Sequence, residues 1–477
     1  MAIKQTKMKI TSICCIGAGY VGGPTMAVIA LKCPHIKVNV VDINELKINL
    51  WNNNNLNKIP VYEPGLKKII KKTRNKNLFF STDIKKAVNQ SQMIFVAVNT
   101  PTKTYGEGKG MAADLTFVEK CAKTIGEYSY SDKIVVEKST LPVRTAEKIK
   151  EILELNANPG VSFEVLSNPE FLAEGTAIKD LFKSDRVLVG SDQTESGLLA
   201  AQSLVKIYEN WIPKNKILTT NVWSSELTKL ASNAMLAQRI SSINSLSAIC
   251  EKTGADIEEV SNAIGYDKRI GKDFLKSSVG FGGSCFQKDI LNLVYLSRHY
   301  GLTEVADFWH QVIKINDYQK NRFTRCIINE LNGTIKSKKI SVLGWAFKKD
   351  TNDSRESASI YVTDNLLNEG AEVYIYDPKV SKERIIDDLK NIWEAKKISE
   401  VDIKSKLIRL KIVDNYEDCF KKASCISILT EWDEFKKYEW KSLIPKMENQ
   451  HIIIDGRNIL SKNKMDKLTK KYISIGR

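Results

Sequence analysis

Residues Gly280-Phe281-Gly282-Gly283-Ser284-Cys285-Phe286-Gln287-Lys288-Asp289 place a cysteine directly after a glycine-rich loop and an aspartate four positions beyond it. The next residues, Ile290 to Leu296, carry an apolar pattern that suits a helix. A helix beginning near Cys285 aims its amide dipoles at the sulfur and favours the thiolate. It also sets Asp289 one turn further along the same face. This combination suits covalent chemistry on a bound substrate. The plainer alternative is a buried structural cysteine after a tight turn. Lys229 and Asn233, four apart in another helical run, share a face. Alone they read equally well as a solvated polar pair. With Cys285 and Asp289 they make a set of nucleophile, cation, carboxamide and carboxylate.

A second constellation lies at the start of the chain. Gly17, Gly19 and Gly22 form G-x-G-x-x-G, with Tyr20 and Val21 between the last two glycines. The motif follows an apolar strand (Lys9 to Ile16), opens a helix-like run (Pro24 to Leu31), and precedes a second strand that closes on Asp42. In such a βαβ unit the glycines give a tight turn, a close approach for pyrophosphate and close helix packing, and the acidic residue accepts from ribose hydroxyls. Asp42 favours NAD over NADP by repelling a 2′-phosphate; Lys47 nearby flanks the adenine ribose and weakens that discrimination a little. Ligands of doubly wound sheets lie beyond the carboxyl ends of the strands. Three expected strand ends carry polar clusters: Asn99-Thr100-Pro101-Thr102, Lys138-Ser139-Thr140 and Asn168-Pro169-Glu170-Phe171-Leu172-Ala173-Glu174. Each alone also reads as a plain loop or cap.

A nicotinamide site beside a reactive thiol narrows the chemistry. A thiol contributes little to oxidising an alcohol, but it adds to an aldehyde, and the thiohemiacetal so formed can lose hydride to leave a thioester that water hydrolyses. The four histidines (His35, His299, His310, His451) lie in neither strand-end nor glycine-loop contexts. Proton transfer therefore falls to lysine, aspartate and water.

These groups must be positioned by 477 residues, enough for two to four domains. Strands are expected at Val38–Asp42, Gln92–Val98, Lys133–Glu137 and Phe163–Leu166, mostly with helices between them. From Trp223 to Lys252 no proline or glycine interrupts the chain, which predicts a helix of about 40 Å, a spine between domains and a dimer surface. A second nucleotide-type unit begins at Lys339–Gly344, continues with a helix over 356–369 and a strand over 371–377, and closes with strands over 423–429 and 452–455. The charged stretch 387–411 reads as helix plus exposed loop. The fold class is α/β: two Rossmann-like doubly wound domains (1–220 and 332–477) joined by a long central helix within a helical linker and dimerisation domain (221–331) that carries the cysteine.

The net charge of +16 is spread along the chain without a reader motif, so nucleic acid is not expected as a partner. No apolar run is long enough to span a bilayer, and Met1 to Lys9 has no apolar core of a signal peptide. Nine scattered cysteines without C-x-x-C spacing suggest neither zinc nor a disulfide framework. A cytoplasmic protein with no membrane partner and no metal is expected.

The motifs above, together with Phe347-Lys348-Lys349-Asp350-Thr351 and Arg355-Glu356-Ser357, are collinear with those of the UDP-glucose/GDP-mannose dehydrogenase family, which the chain resembles from about residue 9 to 460. Residues 99–106 and 237–244 resemble its animal and plant branch. The resemblance implies oxidation of UDP-glucose by NAD and water to UDP-glucuronate. It gives Cys285 the role of nucleophile, Asp289 that of positioning or activating water, and Lys229 and Asn233 that of holding the oxygen at the reacting carbon. Glu170 and Thr140 orient substrate and water. On the cofactor side it implies Gly17, Gly19, Tyr20, Val21, Gly22, Asp42, Lys47, Asn99, Thr100, Thr102, Ser139, Thr140, Glu174, Lys288 and Arg355. On the substrate side it adds Phe171, Leu172, Arg269, Phe274, Lys276, Phe281, Gly282, Phe347, Lys348 and Arg457 to Glu170, Lys229, Asn233 and Cys285. Arg269 of such proteins reaches a neighbouring subunit, which implies a homo-oligomer of at least a dimer, and the eukaryotic branch is usually hexameric. Lys47 stands where arginine is usual, Trp345 replaces a smaller aromatic, and Met111 stands where animal relatives tend to be basic; these departures bear on cofactor contact, assembly and regulation and remove no catalytic group. Alternatives within the class are a UDP-N-acetylhexosamine or GDP-mannose substrate; an alternative outside it is a non-catalytic nucleotide-binding protein.

Overall fold

The computed structural model describes residues 9–477; residues 1–8 of the segment read for targeting lie outside the described residues. Short runs of β-branched and other apolar residues build the first sheet from β1 (Ser12–Ile16), β2 (Lys37–Val41), β3 (Leu78–Ser81), β4 (Met93–Val96), β5 (Lys133–Glu137), β6 (Phe163–Ser167), β7 (Val187–Ser191) and β8 (Ile217–Asn221). Their order is 3-2-1-4-5-6-7-8. All neighbours run parallel except β6 and β7, which meet antiparallel through Ser167 and Gly190. β1 is buried on both faces: Ile13 and Cys15 enter one core, Cys14 and Ile16 the other. That is the pattern of a parallel sheet covered on both sides by helices. α1 (Gly22–Lys32) makes the first crossover and α2 (Thr145–Leu155) follows β5.

The uninterrupted run becomes α3 (Val222–Thr253), a helix of 32 residues. α4 (Phe286–His299) starts one residue after Cys285, and α5 (Thr303–Glu330) follows it. The second sheet contains β9 (Lys339–Leu343), β10 (Glu372–Tyr376), β11 (Leu410–Ile412), β12 (Cys425–Ile428), β13 (Ile452–Asp455) and β14 (Tyr472–Ser474), all parallel in the order 11-10-9-12-13-14. Written by position, this is the same 3-2-1-4-5-6 order as the first six strands of the N-terminal sheet, the dinucleotide-fold order. The stretch expected as helix plus loop forms two helices, Lys382–Ala395 and Glu400–Arg409, that lead into β11.

The chain divides into two compact units, Met1–Ser232 with Leu291–Gly301, and Asn233–Ile290 with Leu302–Arg477. α3 begins in the first unit and ends in the second. Among the described residues no helix is long and apolar enough to cross a membrane, and no group of three or more His, Cys, Asp or Glu is arranged to hold a metal.

Candidate active site

In the first unit the turn after β1 is shaped for a phosphate-bearing ligand. Gly17 has φ +112°, and a Cβ there would lie 2.2 Å from the carbonyl oxygen of Ala97. A Cβ on Gly19 would meet no atom within 4 Å: the space over this glycine is an open cradle in which a pyrophosphate reaches the backbone and the N-terminus of α1. The Trp51 indole donates to the carbonyl of Ala18 at 3.0 Å and holds the turn from beneath. Asp42 follows β2. Its carboxylate accepts from the N–H groups of Ala18 and Asn44, both at 3.0 Å, and from Lys47 Nζ at 2.9 Å. Burial pushes this carboxyl up, but the two N–H groups and Lys47 outweigh it and hold it below the ordinary range. An ionised carboxylate here suits ribose hydroxyls and repels a 2′-phosphate. These residues therefore fit NAD.

The next two strand ends are laced together. Ser139 Oγ donates to the carbonyl of Val98 at 2.7 Å, and Thr100 Oγ1 donates to that of Thr140 at 3.1 Å. Thr102 pairs with Ala113 in an isolated antiparallel bridge. Past β6, Glu170 is half-buried and fully engaged. Oε1 accepts from the N–H groups of Phe171 (2.8 Å) and Leu172 (3.1 Å), while Oε2 meets Lys138 Nζ at 2.9 Å and Thr25 Oγ1 at 3.4 Å. Burial raises its pKa, but Lys138, the Leu172 N–H and Lys229 together outweigh that and keep Glu170 ionised. Lys138, which also donates to Asn168 Oδ1 at 3.0 Å, was flagged in the sequence only as part of a cluster. Its pairing with Glu170 spans 32 positions and leaves no local signal. The Phe171 ring lies under two cations, Arg186 at 3.9 Å and Lys229 at 5.3 Å, so Lys229 is placed beside the Glu170–Leu172 segment. Glu174 lies on the same strand-end loop. That loop is pinned by Glu63, which accepts from Gly175 N (2.6 Å) and Ala177 N (3.2 Å); sequence reading missed this residue.

In the second unit Cys285 is exposed. Its carbonyl accepts from Asp289 N at 2.8 Å, closing the first turn that leads into α4. Asp289 is buried and accepts from Asn233 Nδ2 at 2.6 Å. The expected carboxamide and carboxylate are thus brought into direct contact, and Lys288 Nζ stands 3.6 Å from Asp289. The glycine loop is pressed against the segment after β9. Gly283 N donates to the carbonyl of Arg355 at 2.8 Å, a Cβ on Gly283 would lie 3.0 Å from the Phe347 ring, and one on Gly282 would lie 2.5 Å from the carbonyl of Glu356. On the other side Asn316 of α5 exchanges hydrogen bonds with Phe281, receiving its N–H at 2.8 Å and donating to its carbonyl at 3.0 Å. Arg457 donates to the carbonyls of Leu429 (2.7 Å) and Phe347 (2.8 Å), gathering Phe347, Lys348 and Arg457 beside the glycine loop. Arg355 forks onto Asp353. Arg269 stands apart: its side chain is 89% exposed and pairs only with Asp267 in the contacts described. Phe274, with φ +60°, and Lys276 are exposed near it in the chain. Arg239 of α3 holds this loop by donating to the carbonyls of Ile270, Gly271 and Asp273 at 2.8–2.9 Å.

The sequence profile for the NAD binding domain of the UDP-glucose/GDP-mannose dehydrogenase family matches residues 11–212. Those for the family's central domain and UDP binding domain match residues 223–318 and 341–462. The UDP-glucose 6-dehydrogenase of Mus musculus is 56% identical over 453 residues, covering 95% of this chain and 90% of its own. UDP-glucose 6-dehydrogenase 4 of Arabidopsis thaliana is 54% identical over 471 residues, covering 98% and 97%. Among solved structures, a UDP-glucose dehydrogenase from Pyrobaculum islandicum superposes with a TM-score of 0.81 at 29% identity, covering 98% of this chain and 97% of its own.

Proposed function

Because this chain belongs to the UDP-glucose/GDP-mannose dehydrogenase family, we propose that it oxidises carbon 6 of UDP-glucose twice, from alcohol to aldehyde to carboxylate, giving UDP-glucuronate. It is an NAD-dependent oxidoreductase. The observation that carries the reading is Cys285, exposed at the head of α4, with Asp289 one turn on and tied to Asn233, in a chain whose first sheet ends in a dinucleotide turn.

The turn at Gly19 and the Asp42 carboxylate would hold NAD, which when bound would supply the hydride acceptor for both oxidations. The chain's own residues do the rest. Lys229 and Asn233 present N–H donors to the oxygen on the reacting carbon and stabilise negative charge there. Cys285 Sγ bonds to the aldehyde carbon while the thiol proton ends on the carbonyl oxygen, giving the thiohemiacetal; loss of hydride from carbon and of the hydroxyl proton to water leaves a thioester. Water then breaks the C–S bond, and the thiol regains a proton. Asp289, Glu170 and Thr140 position that water; Glu170, held ionised by Lys138 and with its oxygens already taken by Phe171 N, Leu172 N, Lys138 and Thr25, acts through its negative charge. Phe347, Lys348, Arg457, Arg269, Phe274 and Lys276 take the UDP moiety, and Glu174, Lys288 and Arg355 the cofactor. Division into an NAD-binding domain, a helical middle domain and a UDP-binding domain agrees with this assignment. The exposed Arg269 favours completion of the site by a second subunit, so the working form is a homo-oligomer, at least a dimer. Nine free cysteines favour the cytoplasm.

The test is to supply purified protein with UDP-glucose and NAD and count NADH per sugar consumed. Two per sugar is expected. One per sugar would overturn the second oxidation, and NADH appearing only with a UDP-N-acetylhexosamine or GDP-mannose would overturn the substrate.

A further inference from the structure

Helix α2 starts without a cap of its own. Arg144, at its N-cap position, has φ +75° and makes no side-chain cap, and its guanidinium turns outward to Glu147 at 2.9 Å. The capping carboxylate comes from α3 instead. Glu226 Oε2 accepts from Arg144 N at 2.7 Å and Oε1 from Ala146 N at 2.9 Å. Both Glu226 and Glu137, the last residue of β5, are buried. Neither oxygen of Glu137 receives an N–H or hydroxyl donor among the described residues. What Glu137 does meet is the carboxyl of Glu226. Two carboxyl groups in contact away from water cannot both carry charge. Since both Glu226 oxygens already accept from backbone N–H groups, the proton between them sits on Glu137, which donates to Glu226. Burial and the neighbouring carboxyl push Glu137 well up, in agreement.

The segment between these two glutamates is Lys138 to Arg144. Its first half is laced to the end of β4 through Ser139 and Thr140; its second half is held by Glu226. Glu226 also precedes Lys229 by three residues on α3, one helical turn.

We propose that Glu226 and Glu137 together form a positioning device that fixes the Ser139–Thr140 segment for cofactor binding. The proton on Glu137 keeps the two carboxyls together, and Glu226 converts that anchorage into a fixed β5–α2 turn. Nothing in the device touches substrate or cofactor. The inference rests on the assignment of Ser139 and Thr140 to the cofactor site.

The test uses the full-length protein and titration calorimetry with NAD and, separately, UDP-glucose. Glu226→Gln turns an N–H donor toward one of the backbone N–H groups, and the NAD dissociation constant rises about tenfold while that for UDP-glucose stays within about twofold. Glu226→Asp keeps the carboxyl but withdraws it by one methylene, and weakens NAD by a smaller, still NAD-specific factor. Glu137→Gln retains a donor toward Glu226 and stays within about threefold of the parent protein for both ligands. Unchanged NAD affinity in Glu226→Gln, equal weakening of both ligands in either Glu226 variant, or a Glu137→Gln as damaging as Glu226→Gln would overturn the device. Thr140→Ala separates it from the site assignment. A silent Thr140→Ala beside a damaged Glu226→Gln supports the device and removes Thr140 from the site. A damaged Thr140→Ala beside a silent Glu226→Gln overturns the device alone.

Discussion

The two sheets share a strand order yet treat the same two positions differently. In the first, the turn after β1 leaves open space over Gly19, and Asp42 has three donors, one of them the half-exposed and movable Lys47. In the second, the turn after β9 is Gly344-Trp345-Ala346-Phe347, with Trp345 fully buried and its indole bonded to Asp388 at 3.0 Å. Asp377, after β10, receives five donors: the N–H groups of Trp345, Ala346, Lys379 and Val380 and the Trp432 indole. A carboxylate offers about four lone-pair sites. Asp377 is therefore saturated by its own protein, while Asp42 keeps capacity for a ribose. A strand order supplies a place for a nucleotide, and the vacancy of the turn and the occupancy of the acid decide whether a dinucleotide is read there.

Substitutions that swap the two roles test this contrast. The largest effect belongs to Asp377→Ala, which strands buried donors; a loss of about 3 kcal/mol or more in unfolding free energy is expected, with NAD affinity of the folded fraction unchanged. Denaturant melts and NAD titration read the two quantities separately, and a drop in NAD affinity would break the contrast. Gly19→Leu projects a side chain into the cradle from a Cβ that meets no atom within 4 Å, so the melting temperature is expected to hold while NAD affinity falls about a hundredfold. Asp42→Ala costs NAD about tenfold by the same titration and leaves UDP-glucose affinity as it was.

The smallest effect concerns the fifth strand of each sheet. β5 ends on Glu137 and β13 on Asp455, both buried. Asp455 is satisfied by the N–H groups of Arg457, Ile459 and Leu460 and the Tyr472 hydroxyl; Glu137 relies on Glu226. Burial raises Glu226 from 4.5 to about 7. A raised carboxyl binds its proton more tightly folded than unfolded, so its contribution to stability is full below about pH 4.5 and is lost as pH rises through about 7. Melting curves from pH 5 to 8 are expected to fall less steeply for Glu226→Gln than for the parent protein; an identical slope would show that Glu226 does not titrate there.

Much of this was legible in the sequence because it is local. The glycine spacing, Asp42, the Cys285–Asp289 turn and the uninterrupted α3 depend on residues a few positions apart. The edge strands β3, β8, β11 and β14 and the inner strand β7 went unread; charged or polar residues border each of them and weaken the apolar pattern. Asp377 closes a second strand as Asp42 does; their partners, not their positions, distinguish them. Glu226, in Ser224-Ser225-Glu226, resembles an ordinary first-turn acid of its own helix. That it caps a different helix 80 residues earlier is a tertiary fact no periodicity encodes. Lys138 and Glu63 are hidden for the same reason.

The seam between the glycine loop and the Phe347–Glu356 segment has a mechanical corollary. With no side chain at Gly282 or Gly283 to act as a cushion, any displacement of the aromatic ring or the carbonyls beneath passes straight to the neighbouring sulfur. A thiol-alkylating reagent is then expected to report on this seam, its rate changing when UDP alone is added with neither sugar nor NAD present.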